Sequence, residues 1–196
     1  MAKIRTEKNV SKKEVITKTA AALFKTKGYS STSMRELAEA IGVEAPSLYN
    51  HIGSKSELLQ AICFKMGNEF TAQTAKIKSS SGTASDKLRA IIRFHIEMMM
   101  HNFNELYVAN HEWKHLDEPY LTDFLTIRRN YEKSLVSLIE QGIEKNELQA
   151  INPYVAVLTI LSAVRGLEFW QRNKKNIPPQ VLEEDMINHL LHGIVK

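Results

Sequence analysis

The chain has a single cysteine, Cys63, so no internal disulfide can form and a reducing compartment suits it. No apolar run reaches the length of about eighteen residues that a membrane-spanning helix needs. The opening Met-Ala-Lys-Ile-Arg-Thr-Glu-Lys-Asn-Val is polar and lacks the apolar core of a secretion signal, which predicts a cytoplasmic protein. No stretch alternates apolar and polar residues with the period of a strand. There is no glycine-rich phosphate loop and no internal repeat. A β or nucleotide-binding architecture is therefore not expected.

What is present is ordinary in amount and uneven in placement. Of the 196 residues 43% are hydrophobic and 24% charged, enough for a sizeable core. The net charge is +4, and residues 1 to 60 hold 10 Lys and Arg against 6 Asp and Glu, while the remainder is balanced at 16 against 16. All the excess positive charge thus lies at one end, as attraction to phosphate requires, although a solvated lysine-rich surface would look similar.

That basic end carries the most informative stretch, residues 33 to 53. Ser33 with Glu36 forms a capping box. Met34, Leu37, Ala38 and Ile41 then repeat as one face of a helix. Gly42 fits a helix stop, Val43 a plug between two helices, and Pro46 the first turn of the next helix. Leu48 and Ile52 would face inward, leaving Ala45, Ser47, Tyr49, Asn50 and His51 outward. Small, hydroxyl, aromatic and amide side chains suit phosphates and base edges. The spacing predicts a helix-turn-helix over about 33–52.

The rest reads as helices throughout. Ser11 with Glu14 caps a first helix that ends at Gly28, and Ser54 with Glu57 opens a fourth running to about Lys78. The Ser/Gly-rich residues 79–85 form a loop. Further helices are predicted at 85–102, 105–116, 118–146 and 153–173, and after Pro178 and Pro179 to near Gly193. In the stretch from Tyr154 to Trp170 apolar residues surround most of the circumference, so this helix needs cover on more than one side. A second copy of the chain, contributing its own last two helices, would supply it; a central helix in a monomer is the alternative. The expected fold is all-α with about nine helices: a helix-turn-helix domain at 1–53, and a ligand-binding and dimerisation domain at 54–196 whose 54–78 is a connecting helix.

The motifs Ala22-Leu23-Phe24, Gly28-Tyr29, Thr32 to Ala38, Gly42-Val43, Ser47-Leu48-Tyr49, His51 and Ser54 to Leu59 resemble the TetR family of bacterial repressors. The resemblance is specific over residues 12 to 62 and one of helical layout beyond residue 80. It implies a homodimer that binds a palindromic operator in double-stranded DNA and responds to a small-molecule effector, with no catalytic role and no metal or other cofactor. It also implies that Thr32 and Ser33 anchor on phosphate, that Ala45, Pro46 and Ser47 read bases, and that Tyr49, His51 and Lys55 grip the backbone. Ile52 and Gly53 depart from the family pattern, changing packing and one backbone contact. Glu44 could accept from a cytosine amino group or point away from the groove.

Other signals fall in the second part of the chain. His111-Glu112-Trp113-Lys114-His115 matches H-E-x-x-H, which raises a zinc-dependent hydrolase as the alternative function, against accidental or structural use. A protease would also need a third ligand and a substrate cleft. Arg128 lies mid-helix, and Arg165, Trp170 and Arg172 lie on the apolar eighth helix, where arginines need acids or an anionic ligand as partners. That segment loosely resembles TetR members that sense acyl-CoA thioesters, which implies an acyl-CoA or another apolar, anionic effector. Met98, Met99 and Met100 offer adaptable core or pocket lining.

Overall fold

A computed structural model describes residues 11–173 and 177–192, the side chains of Arg172 and Asn173 excepted. Among the described residues the helices are α1 (Lys12–Lys27), α2 (Met34–Ile41), α3 (Ala45–Tyr49), α4 (Lys55–Ser79), α5 (Ala84–His101), α6 (Phe103–His111), α7 (Tyr120–Glu144), α8 (Pro153–Asn173) and α9 (Pro179–His192). A 3-10 turn spans Trp113–His115, and no strand forms among the described residues. No helix among the described residues is long and apolar enough to cross a membrane.

Side chains start most of these helices where local chemistry requires. Ser11 accepts from the Glu14 amide, while both Ser33–Glu36 and Thr83–Asp86 form reciprocal capping boxes. At α4 the Glu57 amide bonds Ser54 Oγ, and the Glu57 carboxylate accepts from the Gly53 amide rather than from Ser54 itself. Each bond satisfies an amide that the first helical turn leaves without a partner.

The predicted helix over 105–116 is broken. The last regular turn closes with the Glu112 amide on the Val108 carbonyl, after which His115 and Leu116 bond back three residues, to Glu112 and Trp113. Such bonds tighten a helix end into a 3-10 turn. Pro119 bars helical conformation at Glu118, so α7 starts beyond it.

The chain divides into two compact units. The first comprises residues up to Gly67 together with Asn104–Leu125. Here α1 packs on α2 and α2 on α3, with Phe24, Leu37, Leu48, Ile52, Leu58 and Ile62 buried. The second comprises Asn68–Phe103 and the residues from Thr126 onward. In it α5 packs against α8 and α9. Gly142 of α7 admits a close approach there: a Cβ would stand 2.6 Å from Ala84 Cβ and from Leu148 Cδ1.

Inside the second unit His95 Nε2 lies 2.6 Å from the Tyr131 hydroxyl, with the Phe70 ring 4.6 Å from the imidazole. Burial, reinforced by the positive charge of Arg165, depresses the His95 pKa to about 3. Burial raises that of Tyr131. Both groups are neutral at ordinary pH.

On α8 the sequence suggested apolar residues all round. Within one chain Val157, Ile160, Leu161, Val164 and Leu167 are buried, while Tyr154, Val155, Leu158 and Phe169 stand more than half exposed on the other side. Thr159, Ser162 and Gly166 lie on that same exposed face.

Candidate nucleic-acid interface

The interface is built from the turn after α1 and the α2–α3 hairpin. Ser33 is extended at φ −100°, its Oγ accepts from the Glu36 amide, and the Glu36 carboxylate takes the Ser33 amide at 2.8 Å and the Ser33 hydroxyl at 2.9 Å. Lys27 reaches the same carboxylate at 2.7 Å. The Lys27 ammonium, then the Ser33 amide and hydroxyl, lower the Glu36 pKa from 4.5 to about 2. One acid thus ties the end of α1 to the start of α2.

Gly42 ends α2 in the left-handed region, φ 78°, and its amide bonds back to Ala38 and Glu39. Side chains other than glycine rarely adopt this conformation. The Val43 amide also bonds the Ala38 carbonyl, at 3.0 Å, which fixes the turn into α3.

The second helix of the motif is shorter than the sequence suggested, only Ala45–Tyr49. Leu48 and Ile52 are fully buried beneath it. Pro46, Ser47, Tyr49, Asn50 and His51 face solvent, Ala45 is half-buried, and the Tyr49 ring is 53% exposed. Glu44 is exposed and makes no capping bond. The five outward side chains therefore form one polar and aromatic face on an apolar anchor.

Thr32 and Lys55 sit differently from this face. Thr32 is buried, and its hydroxyl donates to the Gly28 carbonyl at 2.9 Å, leaving Ser33 as the solvent-facing hydroxyl of the pair. Lys55 Nζ lies 2.9 Å from the Tyr29 carbonyl, 2.8 Å from that of Thr32 and 3.4 Å from that of Ser30. It also stands 4.4 Å above the Tyr29 ring. An ammonium has three donors, and here all three are directed at the turn.

The H-E-x-x-H histidines do not converge. His111 ends α6 with its ring against Tyr107, 4.4 Å between centroids, whereas His115 lies in the 3-10 turn and stacks on Tyr29 at 5.3 Å. Glu112 pairs with His115 at 3.4 Å. The helix break removes the shared face that two imidazoles four residues apart would need to grip one metal, so the hydrolase alternative has no geometric support.

Of the residues expected to meet an effector, Met99 is buried and its carbonyl accepts from Gln171 Nε2 at 3.0 Å. Arg128 is half-buried on α7, one turn before Tyr131, and Arg165 is exposed on α8. Trp170 is half-buried, and its indole N–H is buried without an acceptor among the described residues. The Arg172 side chain lies outside the described residues. Sequence reasoning missed His95 and its pairing with Tyr131, which joins residues 36 apart.

Comparison with known proteins agrees with this arrangement. The family model for "Bacterial regulatory proteins, tetR family" matches residues 16–62, and that for "Tetracyclin repressor-like, C-terminal domain" matches residues 81–194. The chain is 22% identical over 182 residues to the HTH-type transcriptional repressor KstR2 of Mycobacterium tuberculosis, covering 90% of each chain. The solved structure of M. tuberculosis KstR2 superposes with a TM-score of 0.88 at 22% identity, covering 98% of this chain and 100% of that one. AibR, solved in complex with isovaleryl coenzyme A and operator DNA, gives a TM-score of 0.80 at 23% identity over 91% and 97% of the two chains. These structural likenesses establish the fold, with its amino-terminal helix-turn-helix and carboxy-terminal helical part.

The Glu36 box has a pH signature. Its folded-state pKa is depressed, so its contribution is complete above 4.5 and is lost as pH falls toward about 2. In Glu36→Gln the amide side chain still caps α2 but neither pairs with Lys27 nor titrates. Urea unfolding followed by circular dichroism should find the variant less stable at neutral pH, with the gap closing across that acid window. A gap that stays constant with pH contradicts the assignment.

Proposed function

The chain belongs to the TetR family of bacterial regulatory proteins, and from that premise we propose that it is a dimeric repressor that releases a palindromic operator when a small molecule binds its second part. It is a DNA-binding transcription regulator and not an enzyme. In this reading residues 1–53 are the reading head, 54–196 bind effector and partner, 54–78 connect them, and the protein works in the cytoplasm. The observation that carries the reading is the outward set Pro46, Ser47, Tyr49, Asn50 and His51, held over buried Leu48 and Ile52. With Ala45 and Ser33 these side chains would meet base edges and phosphates, while Thr32 and Lys55 hold the turn beside them and Lys55 turns to phosphate once DNA arrives. The positive charge confined to residues 1 to 60 favours that approach.

Reading a palindrome needs two heads about 34–36 Å apart, one turn of the duplex. The exposed apolar face of α8 supports pairing through the last two helices. Tyr154 is 62% exposed, Leu158 57% and Phe169 68%, and a Cβ placed on Gly166 would meet nothing within 4 Å. A groove lined by Ile151, Val155, Ala156, Thr159, His189 and Leu190 continues this face toward α9. Apolar exposure of this kind marks an interface.

For the effector we propose an acyl-CoA or a similar molecule with an apolar body and anionic groups. AibR has been solved with isovaleryl coenzyme A. In this chain Met99 would supply apolar lining, the Trp170 N–H, without an acceptor among the described residues, can donate to a carbonyl, and Arg128 and Arg165 can pair with phosphate or carboxylate. Effector lowers DNA affinity by binding one conformation of the dimer more tightly than the other.

Selection from a randomised inverted-repeat library should enrich one duplex family. On it, Ser47→Ala should relax preference at one position of each half-site, and Lys55→Ala should weaken every sequence alike; failure of the wild-type protein to separate selected from random duplex at physiological salt overturns the reading. Leu158→Asp should turn a dimer into a monomer at micromolar concentration in analytical ultracentrifugation, and an unchanged mass would place the interface elsewhere. Thermal shift against acyl-CoAs, free fatty acids and coenzyme A should give a rise of several degrees with a thioester only, and no response to any thioester discards that effector class.

A further inference from the structure

The histidine motif that forms no metal site has another use. His115 stacks on Tyr29 with ring centroids 5.3 Å apart and planes 24° from parallel. Tyr29 is the first residue of the turn that carries the chain from α1 to Ser33, and its ring also meets Phe24 edge-on at 5.2 Å. The ammonium of Lys55 lies over that same ring and ties down the carbonyls of Tyr29, Ser30 and Thr32. Two residues past the histidine, Asp117 accepts from the Ser56 hydroxyl at 2.8 Å, next to Lys55 in sequence. Between them Leu116 is buried, and Glu112 steadies the imidazole. Partial burial, the charge of Asp117 and a weaker opposing bond from Ser56 leave Tyr29 with a raised pKa, so its ring stays a neutral phenol able to face a cation.

We propose that His115 is a positioning residue for DNA reading: stacked on Tyr29, it fixes the ring and turn on which Lys55 and Ser33 depend, so that the head keeps its binding geometry only while residues 112–117 are seated. This rests on the DNA-binding reading above and adds its regulation. Residues 104–125 cluster with the helix-turn-helix although residues 68–103 of the second unit lie between them in sequence, and on both sides the polypeptide runs on into the second unit, through α5 and through α7. The segment is therefore joined covalently to the second unit at both of its ends. His115 touches no base or phosphate in this scheme; it acts through Tyr29 and Lys55.

The test uses the full-length protein and three variants, His115→Ala, His115→Phe and Asp117→Ala. Hydrogen exchange is measured on the free proteins, and affinity for the duplex enriched by the wild-type chain is measured over a range of salt. Loss of the stack should speed exchange at the amides of residues 29–37 and weaken DNA binding about 3- to 10-fold, the size of an aromatic pair. The salt slope should stay unchanged, because no phosphate contact is removed. Phenylalanine should restore both readouts, and Asp117→Ala should reproduce the defect without touching the ring. Unchanged exchange in His115→Ala, a phenylalanine variant as weak as alanine, or a slope lowered by about one, the mark of a direct phosphate contact, overturns the proposal. If the wild-type chain enriches no duplex, the DNA reading itself fails, and the exchange measurement still decides whether His115 braces the turn.

Discussion

A helix of five residues cannot hold itself together, because isolated helices below about twelve residues are marginal in water. The orientation of α3 therefore depends on the burial of Leu48 and Ile52, both essentially inaccessible to solvent. Those two side chains decide which way Ser47, Tyr49 and Asn50 point. The left-handed turn at Gly42 sets where they are delivered, and the Ser33–Glu36–Lys27 cluster sets where α2 begins.

The parts of this structure that were legible in the sequence are those fixed within four residues. Capping pairs such as Ser33 with Glu36, the glycine stop at Gly42 and the apolar repeat of Leu37, Ala38 and Ile41 each act locally, and the helix-turn-helix followed from them. The break after His111 was missed because the apolar pattern of α6 continues into residues 113–116, while the switch to bonds three residues back, at His115 and Leu116, leaves no mark in that pattern. The contacts of Tyr29 with His115 and of Lys55 with the carbonyls of Tyr29 and Thr32 span 86, 26 and 23 residues. No spacing rule reaches so far. Thr32 shows the same limit: its hydroxyl type suited phosphate, but its direction, toward the Gly28 carbonyl, is a property of the folded turn.

The eighth helix serves two surfaces at once. Apolar residues on most of its circumference demanded cover on two sides. Packing on α5 supplies one, and the face carrying Tyr154, Leu158 and Phe169 remains for another surface. That face is flat in composition, with Thr159, Ser162 and Gly166 between the larger residues, so backbones can approach closely. Arg165 at its edge keeps contact with solvent, which removes the need for the buried partner that an arginine on a fully enclosed helix would require.

The interior of the second unit carries a different constraint, one of charge. Burial holds His95 neutral with a pKa near 3 against 6.5 for a free imidazole, and Arg165 pushes in the same direction. Because the unfolded chain takes up that proton first, this histidine withdraws stability as pH falls from 6.5 toward 3 and has no such effect above it. At working pH the pair of His95 and Tyr131 therefore offers a hydrogen-bonded but uncharged contact inside the second unit. For the proposed effector, an uncharged pair of this kind favours an apolar body, while anionic groups suit an arginine that meets solvent, as Arg165 does. An acyl thioester divides its chemistry in that way, with its acyl chain and carbonyl at one end and its phosphates at the other.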